Sequence, residues 1–145
     1  MVSFVNLLSK MPEHWSTFLK LREHTRFYDF FSFGHESIDG FLTPVAAIAE
    51  EMSRAGWAFH DKPTGDGFGH IIFNWAAVGR PLIGHASYYS GQLAEMFWQD
   101  GETCIDLDKH SPIDAAKIIL STTPERHAEM CRAIRGRLNE NYNPA

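Results

Sequence analysis

Four residues of one short segment are suited to binding a charged, hydroxyl-rich molecule. Asp66 precedes a Gly-Phe-Gly sequence, and Asn74 follows it eight positions later. A helix turns by about 100° per residue, so Asp66 and Asn74 are predicted to lie on nearly the same face, two turns apart. Gly67 and Gly69 allow a ligand to approach the N–H groups at the helix start, where the dipole favours anions. This layout is typical of a site for a phosphorylated molecule such as a nucleotide sugar.

Other polar residues fall near the same predicted site. Lys62 stands at the end of a predicted strand, where a cation can meet a phosphate, although a solvated loop lysine is an equal alternative. His60 or His70 can act as an acid or hydrogen-bond donor to a leaving phosphate, or can be a half-buried structural histidine. Together with His85, these histidines match no metal-binding spacing, so we expect no metal and no cofactor.

Several of these residues can instead have a purely structural role. Asp66 is a favoured helix-capping residue, and Asn74, a poor helix former, can be a surface residue. Tyr88 and Tyr89 can stack on a nucleobase, or one can be buried and the other exposed. The last predicted helix carries basic residues that we interpret as a solvated face: Arg126, Arg132 and Arg135.

Apolar runs and helix signals alternate along the chain. We predict strands at residues 2–8, 26–33, 57–60, 80–84 and 103–107. We predict helices that begin near residues 11, 43, 67, 91, 111 and 123, with the second ending near 56, the third running over 67–78 and the fourth over 91–99. Ser111 and Thr123 are expected to cap the last two helices, and Gly79 to end the third. In the second helix, we expect four residues to face inward: Val45, Ile48, Ala49 and Met52.

This alternation predicts an α/β fold. The expected architecture is a doubly wound, mostly parallel five-stranded sheet with helices on both faces, Rossmann-like, in a single domain over residues 1–145. Ligands of such sheets bind at the carboxyl ends of the strands. The loops expected at that edge are residues 6–10, 34–40, 61–69 and 85–91.

Composition limits the classes of function. Hydrophobic residues make up 44% and charged residues 21%, as in ordinary globular proteins. The formal net charge of −5 argues against nucleic acid as the main partner. Cys104 and Cys131 are too few for a disulfide framework, so we expect a cytoplasmic protein with reduced thiols. No apolar run approaches the roughly 18 residues of a membrane span.

The chain resembles the C-terminal, donor-binding domain of GT-B type glycosyltransferases. Residues 66–69, Asp-Gly-Phe-Gly, resemble a Glu-Gly-Phe-Gly segment of that family, and residues 77–83 resemble the small residues, Gly, basic residue, Pro and strand that follow it. Residues 100–103 match its Asp-Gly-x-Thr turn. Ser90 and Gly91, followed by Glu95, resemble its glycine loop and acidic helix. The resemblance implies a donor nucleotide sugar as substrate.

The chain departs from the family pattern in three places. The paired glutamates are Asp66 and Asn74 here, and Asn carries no charge. The family places an Arg and a Lys after the first strand; here the Arg has no match, and Lys10 is an approximate substitute for the Lys. The acceptor-binding N-terminal domain is absent, so the resemblance implies half of a two-domain enzyme.

The resemblance therefore implies transfer of a sugar from a nucleotide diphosphate donor to an unknown acceptor. It assigns Asp66 as the catalytic residue and gives these donor-binding residues: Gly67, Phe68, Gly69, His70, Asn74, Lys62, Lys10, Ser90 and Gly91. We expect the isolated chain to lack transferase activity until a missing domain or partner subunit supplies the acceptor site. The alternative is a non-catalytic Rossmann-like module that binds a partner or a nucleotide. Apolar surface expected near Tyr88, Tyr89 and Trp98 favours a homodimer.

Overall fold

Five short parallel strands form one sheet, as the sequence predicts. The computed structural model describes residues 1–3, 11–26, 28–34, 37–63 and 70–142. The strand order is β2-β1-β3-β4-β5, and every neighbouring pair is parallel. The strands are β1 (Val2–Ser3), β2 (Phe31–Ser32), β3 (Ala58–Phe59), β4 (Leu82–Gly84) and β5 (Cys104–Asp106).

Helices connect the strands and cover both faces of the sheet. The α-helices in the described part of the chain are α1 (Pro12–His24), α2 (Val45–Arg54), α3 (His70–Ala77), α4 (Pro112–Ser121) and α5 (Pro124–Tyr142). Two 3-10 segments, Ala86–Tyr89 and Leu93–Phe97, lie between β4 and β5. No helix within these described ranges is both long enough and apolar enough to cross a bilayer.

Successive strand residues are buried in opposite apolar layers, because side chains alternate across a strand. Leu82 belongs to the layer that α3 and α5 cover, whereas Ile83 belongs to the layer that α1 and α4 cover. The first layer includes Ile72, Trp75, Leu82, Phe97 and Ile134. The second includes Phe18, Leu21, Phe59, Ile83 and Ile119. Because both faces of the sheet are buried, apolar residues are needed on both sides of the strands, which explains the continuous apolar runs in the sequence.

The strand order places a topological switch between β1 and β3. The chain adds β2 on one side of β1 and then β3, β4 and β5 on the other side. The connections on the two sides therefore diverge at the carboxyl ends of β1 and β3. A crevice at that point is the general ligand position in open parallel sheets.

Several helix ends follow the predicted signals. The hydroxyl oxygen of Ser111 accepts the N–H of Asp114 at 3.2 Å, which caps α4. The hydroxyl oxygen of Thr123 accepts the N–H of Arg126 at 3.2 Å and caps α5. Gly79 follows α3 with a φ of +67°, a conformation that side chains disfavour, so it ends the helix as expected.

Two predictions about helices need correction. The helix predicted over residues 91–99 is present only as a 3-10 segment, Leu93–Phe97. Gly91 lies outside it, with a φ of +74° and an N–H that donates to the carboxylate of Glu95 at 3.0 Å. In α2, Val45 and Ala49 are exposed rather than inward. The packed stripe instead consists of Ile48, Met52 and Ala55, and α2 has no side-chain cap.

We expect Gly84→Ala to destabilise the fold by about 3 kcal/mol or more, because the new β-carbon would overlap the carbonyl oxygen of His60 and lie 2.9 Å from the Trp98 ring. Gly136→Ala is the matched control. That position lies inside α5 with nothing within 4 Å, so alanine should be neutral or stabilise by up to about 1 kcal/mol. Urea unfolding of both variants measures the difference, and equal stabilities would contradict the close strand packing.

Candidate functional site

Four polar side chains meet at the carboxyl ends of the central strands. Ser3 ends β1, Asp61 follows β3 by two residues, and His85 directly follows β4. His14, from the first turn of α1, lies between Ser3 and Asp61. We call these residues the carboxyl-edge cluster. It lies at the switch between β1 and β3, where the fold predicts a ligand crevice.

His14 links α1 to the ends of two strands. Its Nδ1 donates to the backbone carbonyl oxygen of Asp61, and its Nε2 lies 3.4 Å from the hydroxyl oxygen of Ser3. Since a carbonyl can only accept, Nδ1 carries the proton and Nε2 is the acceptor for Ser3. Burial lowers the pKa of His14 to about 4, against the opposing effect of the Asp61 carbonyl. His14 is therefore a neutral positioning group at neutral pH.

Asp61 and His85 form a buried carboxylate–imidazole pair. One carboxylate oxygen, Oδ1, accepts the backbone N–H of His85 at 2.9 Å and the ring Nδ1–H at 2.6 Å. The Asp61 side chain is 4% exposed and that of His85 is 27% exposed. The carboxylate thus fixes the orientation of the ring and its tautomer, and leaves Nε2 as the ring nitrogen for a ligand. A histidine held in this way is suited to donate or accept a proton.

Tyr88 adds a second donor beside this pair. Its ring packs on that of His85 with a centroid distance of 4.8 Å. Burial and the negative charges of Asp61, Glu13 and Asp108 raise the pKa of Tyr88. The phenol therefore stays protonated at neutral pH and can donate a hydrogen bond.

Carboxylates of β5 and the loop after it hold the segment that follows β4. Asp106 Oδ1 accepts the N–H of Ala86 at 3.1 Å and the N–H of Asp108 at 2.9 Å. Asp108 accepts the N–H of Ser87 at 2.7 Å and its hydroxyl at 2.9 Å. Burial acts to raise the pKa of Asp108, but these bonds from Ser87 outweigh it and the pKa is lowered. The backbone of Ala86 and Ser87, which follow His85, is therefore held by two carboxylates from the β5 side of the sheet.

An open cavity of about 290 Å³ lies beside His85 at this edge of the sheet. It is lined by polar residues of the loop after β5 and by one residue of α1. The lining consists of Thr17, His85, Leu107, Asp108, Lys109, His110, Ser111 and Pro112. Lys109 gives this cavity an ammonium donor for an anionic group, 3.8 Å from the carboxylate of Asp106. One ring nitrogen of each imidazole already faces a carboxylate, His85 with Asp61 and His110 with Asp100.

Half of the ten predicted site residues lie outside the described part of the chain: Asp66, Gly67, Phe68, Gly69 and Lys10. His70 begins α3, and Asn74 lies one turn further along the same exposed face. Lys62 directly follows Asp61 and is half-buried. These three residues are placed on the chain segment that leaves the carboxyl end of β3.

Ser90 and Gly91 lie at the far end of the 3-10 segment that follows His85. Both residues are exposed. The N–H of Gly91 donates to Glu95, so this N–H is occupied by the protein itself. Ser90 and Gly91 are separated from His85 by the Ala86–Tyr89 segment, which places them at the margin of the cluster.

The prediction of exposed apolar surface near Tyr88, Tyr89 and Trp98 is wrong, and Tyr88 itself is half-buried. Tyr89 is 0% exposed and Trp98 8% exposed, and their rings stack at a centroid distance of 4.5 Å. These aromatic residues belong to the core, where the large buried area of a stacked pair stabilises the fold. His60 is also buried, with its ring 6.0 Å from that of Tyr89, which favours its structural interpretation.

The sequence did not predict His14, Asp61, His85 or Asp106 as catalytic or donor-binding residues. A signal for two of them is present in the sequence. Asp61 directly follows an apolar strand, and Asp106 interrupts another, where an unpaired carboxylate is costly. His14 had no comparable signal, because its role depends on packing α1 against the end of β3.

Comparison with known proteins identifies no family for the chain. No protein-family model matches the chain, and no curated protein matches its sequence. Within the described ranges, no three His, Cys, Asp or Glu side chains converge in an arrangement that holds a metal ion. The geometry of the carboxyl-edge cluster is therefore the main structural guide to function.

We expect His14 to make stability depend on pH. The unfolded chain binds this proton more tightly than the folded protein, so the contribution of neutral His14 is complete above pH 6.5 and is lost as the pH falls toward about 4. The loss amounts to about 3 kcal/mol. His14→Asn keeps a donor near the Nδ1 position and should flatten this part of the stability profile.

Urea unfolding at several pH values between 4 and 7 measures this effect. His24→Asn is the matched control, because His24 is exposed on the same helix. Equal pH slopes for His14→Asn and the unsubstituted protein would contradict the neutral, buried state of His14.

Proposed function

We propose that the carboxyl edge of the sheet binds a nucleotide-activated sugar and supports its transfer. The observation that carries the proposal is the Asp61–His85 pair, a buried carboxylate that orients a partly exposed imidazole at the topological switch. Because Nδ1 of His85 donates to Asp61, Nε2 carries a proton only when the ring is an imidazolium, and in that form it is a directed donor to an anionic ligand. Its position agrees with the general ligand position in parallel sheets.

The remaining predicted residues extend this site along α3. The segment between Asp61 and His70 carries the glycine motif, which joins the carboxyl end of β3 to the start of α3. We propose that the diphosphate lies against that helix start and that Asp66 and Asn74 hold hydroxyl groups. Lys62 and Lys109 supply positive charge on either side of His85.

The chemical contribution of the protein is stabilisation of the leaving group. When the bond between the sugar carbon and the diphosphate oxygen breaks, its electron pair remains on the diphosphate. A hydrogen bond or proton from His85 Nε2 offsets this charge, while Asp61 stabilises the ring cation through Nδ1. The acceptor hydroxyl forms the new bond to the sugar carbon and releases its proton to water or to the departing diphosphate.

Acceptor groups belong, in this proposal, to a second lobe that faces the carboxyl edge. The lobe is either an acceptor-binding domain of the same protein or a partner subunit, including a second copy of the chain. Two unpaired thiols, Cys104 and Cys131, fit a reducing compartment such as the cytoplasm.

A second candidate function is a non-catalytic module that binds another protein. Exposed apolar side chains favour it. Ile38 is 64% exposed, Phe41 68% and Val45 79%, and they lie in the segment that joins edge strand β2 to α2 and in the first residue of α2. Exposed apolar residues of this size are typical of interaction surfaces when they are contiguous.

Titration with nucleotides separates the two candidates. We expect uridine, guanosine or adenosine diphosphate, or the corresponding sugar conjugates, to bind with an affinity between high micromolar and millimolar, about −4 to −6 kcal/mol. Backbone NMR shifts should change near Asp61, His70 and His85. The absence of shifts at millimolar ligand, or shifts confined to the amino ends of the strands, would refute the nucleotide-sugar proposal and leave the protein-binding module.

Replacement of His85 tests the central pair. We expect His85→Gln to weaken binding of the best nucleotide by about tenfold, because a neutral amide replaces the charged imidazolium donor that faces the diphosphate. His24→Gln on α1 is the matched control and should bind as the unsubstituted protein does. Isothermal titration calorimetry gives both affinities. Unchanged affinity in His85→Gln would remove His85 from the site.

Replacement of Asn74 tests the extension along α3. We expect Asn74→Ala to weaken sugar-nucleotide binding by about 1–3 kcal/mol, the cost of an unmet polar partner. Stability should stay equal or rise slightly, because Asn74 is exposed and Ala is the better helix former. Asn139→Ala, at an exposed position of α5, is the control. Lower stability with unchanged binding would show a structural role.

A further inference from the structure

A second cluster of reactive groups lies at the opposite, amino edge of the sheet. Cys131 and His127 are one turn apart on α5, and the ring of His127 reaches the residues that precede β3. Arg80, which precedes β4, contributes a guanidinium to the same region. This amino-edge cluster uses none of the residues of the proposed nucleotide-sugar site.

We propose that Cys131 is a modification site, a thiol activated by His127 that forms a mixed disulfide with a small disulfide such as glutathione disulfide. The proposal is independent of the proposed function, because it rests on different residues at the other edge of the sheet.

The geometry fixes the proton positions of His127. Its Nε2 lies 2.8 Å from the carbonyl oxygen of Gly56, which can only accept, so Nε2 carries a proton. In the neutral ring, Nδ1 is then the acceptor. The sulfur of Cys131 lies beside the ring, 3.7 Å from Nδ1 and 4.0 Å from Nε2. The thiol proton can pass to Nδ1, which gives a thiolate beside an imidazolium. A nucleophile, a base and a group that orients the base are the arrangement of an activated thiol.

Neighbouring groups hold the base and stabilise the thiolate. The ring of Trp57 packs edge-on against that of His127, with a centroid distance of 5.0 Å. The guanidinium of Arg80 is anchored by its donation to the carbonyl oxygen of Ser53 at 2.5 Å. Arg135, one turn along α5 from Cys131, donates to the carbonyl oxygen of Val78 at 3.2 Å.

Two cationic groups act on the thiol, the ring of His127 and the guanidinium of Arg80. Burial acts to raise the pKa of Cys131, but the hydrogen bond and charge of His127 and the charge of Arg80 outweigh it and lower the pKa. The hydrogen bond with Cys131 raises the pKa of His127 in turn. Both directions favour the ion pair over the neutral pair.

Cys104 is an internal control for the reactivity of Cys131. Cys104 lies in β5 with 0% exposure, and burial raises its pKa far above that of an ordinary thiol. Cys131 is half-buried, so a small reagent can reach its sulfur. The two thiols should therefore differ strongly in reactivity.

The reaction is a thiol–disulfide exchange that needs no reactant beyond the small disulfide. The thiolate of Cys131 attacks one sulfur of glutathione disulfide, and the sulfur–sulfur bond breaks. One glutathione stays on Cys131, and the other leaves with the electron pair and takes up a proton. Excess reduced glutathione reverses the exchange.

The test measures the alkylation rate of each thiol in the folded protein. We expect monobromobimane to label Cys131 many times faster than Cys104, with a pH midpoint below that of a free-cysteine peptide under the same conditions. His127→Gln should move this midpoint upward and slow labelling at pH 7 by about fivefold or more. Arg132→Gln, exposed on the same helix, is the matched control and should leave the rate unchanged.

Incubation with glutathione disulfide completes the test. Mass spectrometry should find one glutathione on Cys131, none on Cys104 and none in Cys131→Ser. Two results with the unsubstituted protein would overturn the proposal: a pH midpoint of Cys131 labelling equal to that of the free peptide, or faster labelling of Cys104 than of Cys131. If His127→Gln does not fold, Arg80→Gln serves as the second variant, and an unchanged midpoint in the folded variant would also overturn it.

Discussion

The buried charge of Asp61 is the constraint on which the carboxyl edge depends. A carboxylate that is nearly enclosed by protein must be satisfied by donors, because an isolated buried charge costs far more than a fold can offset. Asp61 meets this requirement with the backbone and the ring of His85, while its own carbonyl oxygen accepts from His14. One residue thereby fixes α1, the end of β3 and the start of the segment after β4 relative to one another.

The two edges of the sheet use histidine in opposite ways. At the carboxyl edge, burial keeps His14 neutral, and a carboxylate orients His85 for an outside ligand. At the amino edge, a thiol and a carbonyl favour the charged form of His127. The partner of each ring, rather than its distance along the chain from a motif, determines what chemistry it can perform.

The sequence predicts the fold well because its signals are local. Apolar runs mark all five strands, and Ser111, Thr123 and Gly79 mark helix ends that the structure contains. The helix predicted over residues 91–99 is present only as a 3-10 segment, Leu93–Phe97, and the positive φ of Gly91 keeps that residue outside it. The spacing of apolar residues does not predict a positive φ at a single residue.

The site was predicted less completely than the fold. The glycine motif predicted a site in the loop after β3, and the strand pattern placed residues 85–91 at the same edge without giving His85 a binding role. The structure brings His85 together with Asp61 at this edge. The partnership itself joins residues 24 positions apart in the chain, and that of His14 with Asp61 joins residues 47 apart. Pairings of this kind arise from the packing of elements, so no local pattern predicts them.

Helix α5 has a consequence for how the protein loses its structure. Met130 contributes to the apolar layer under α1 and α4, whereas Ile134, one turn later, contributes to the layer under α3. The same helix donates from Arg126 to the carbonyl oxygen of Gly101 and from Arg135 to that of Val78. Fraying of α5 would open both faces of the sheet at once, which couples the two halves of the core into one cooperative unit.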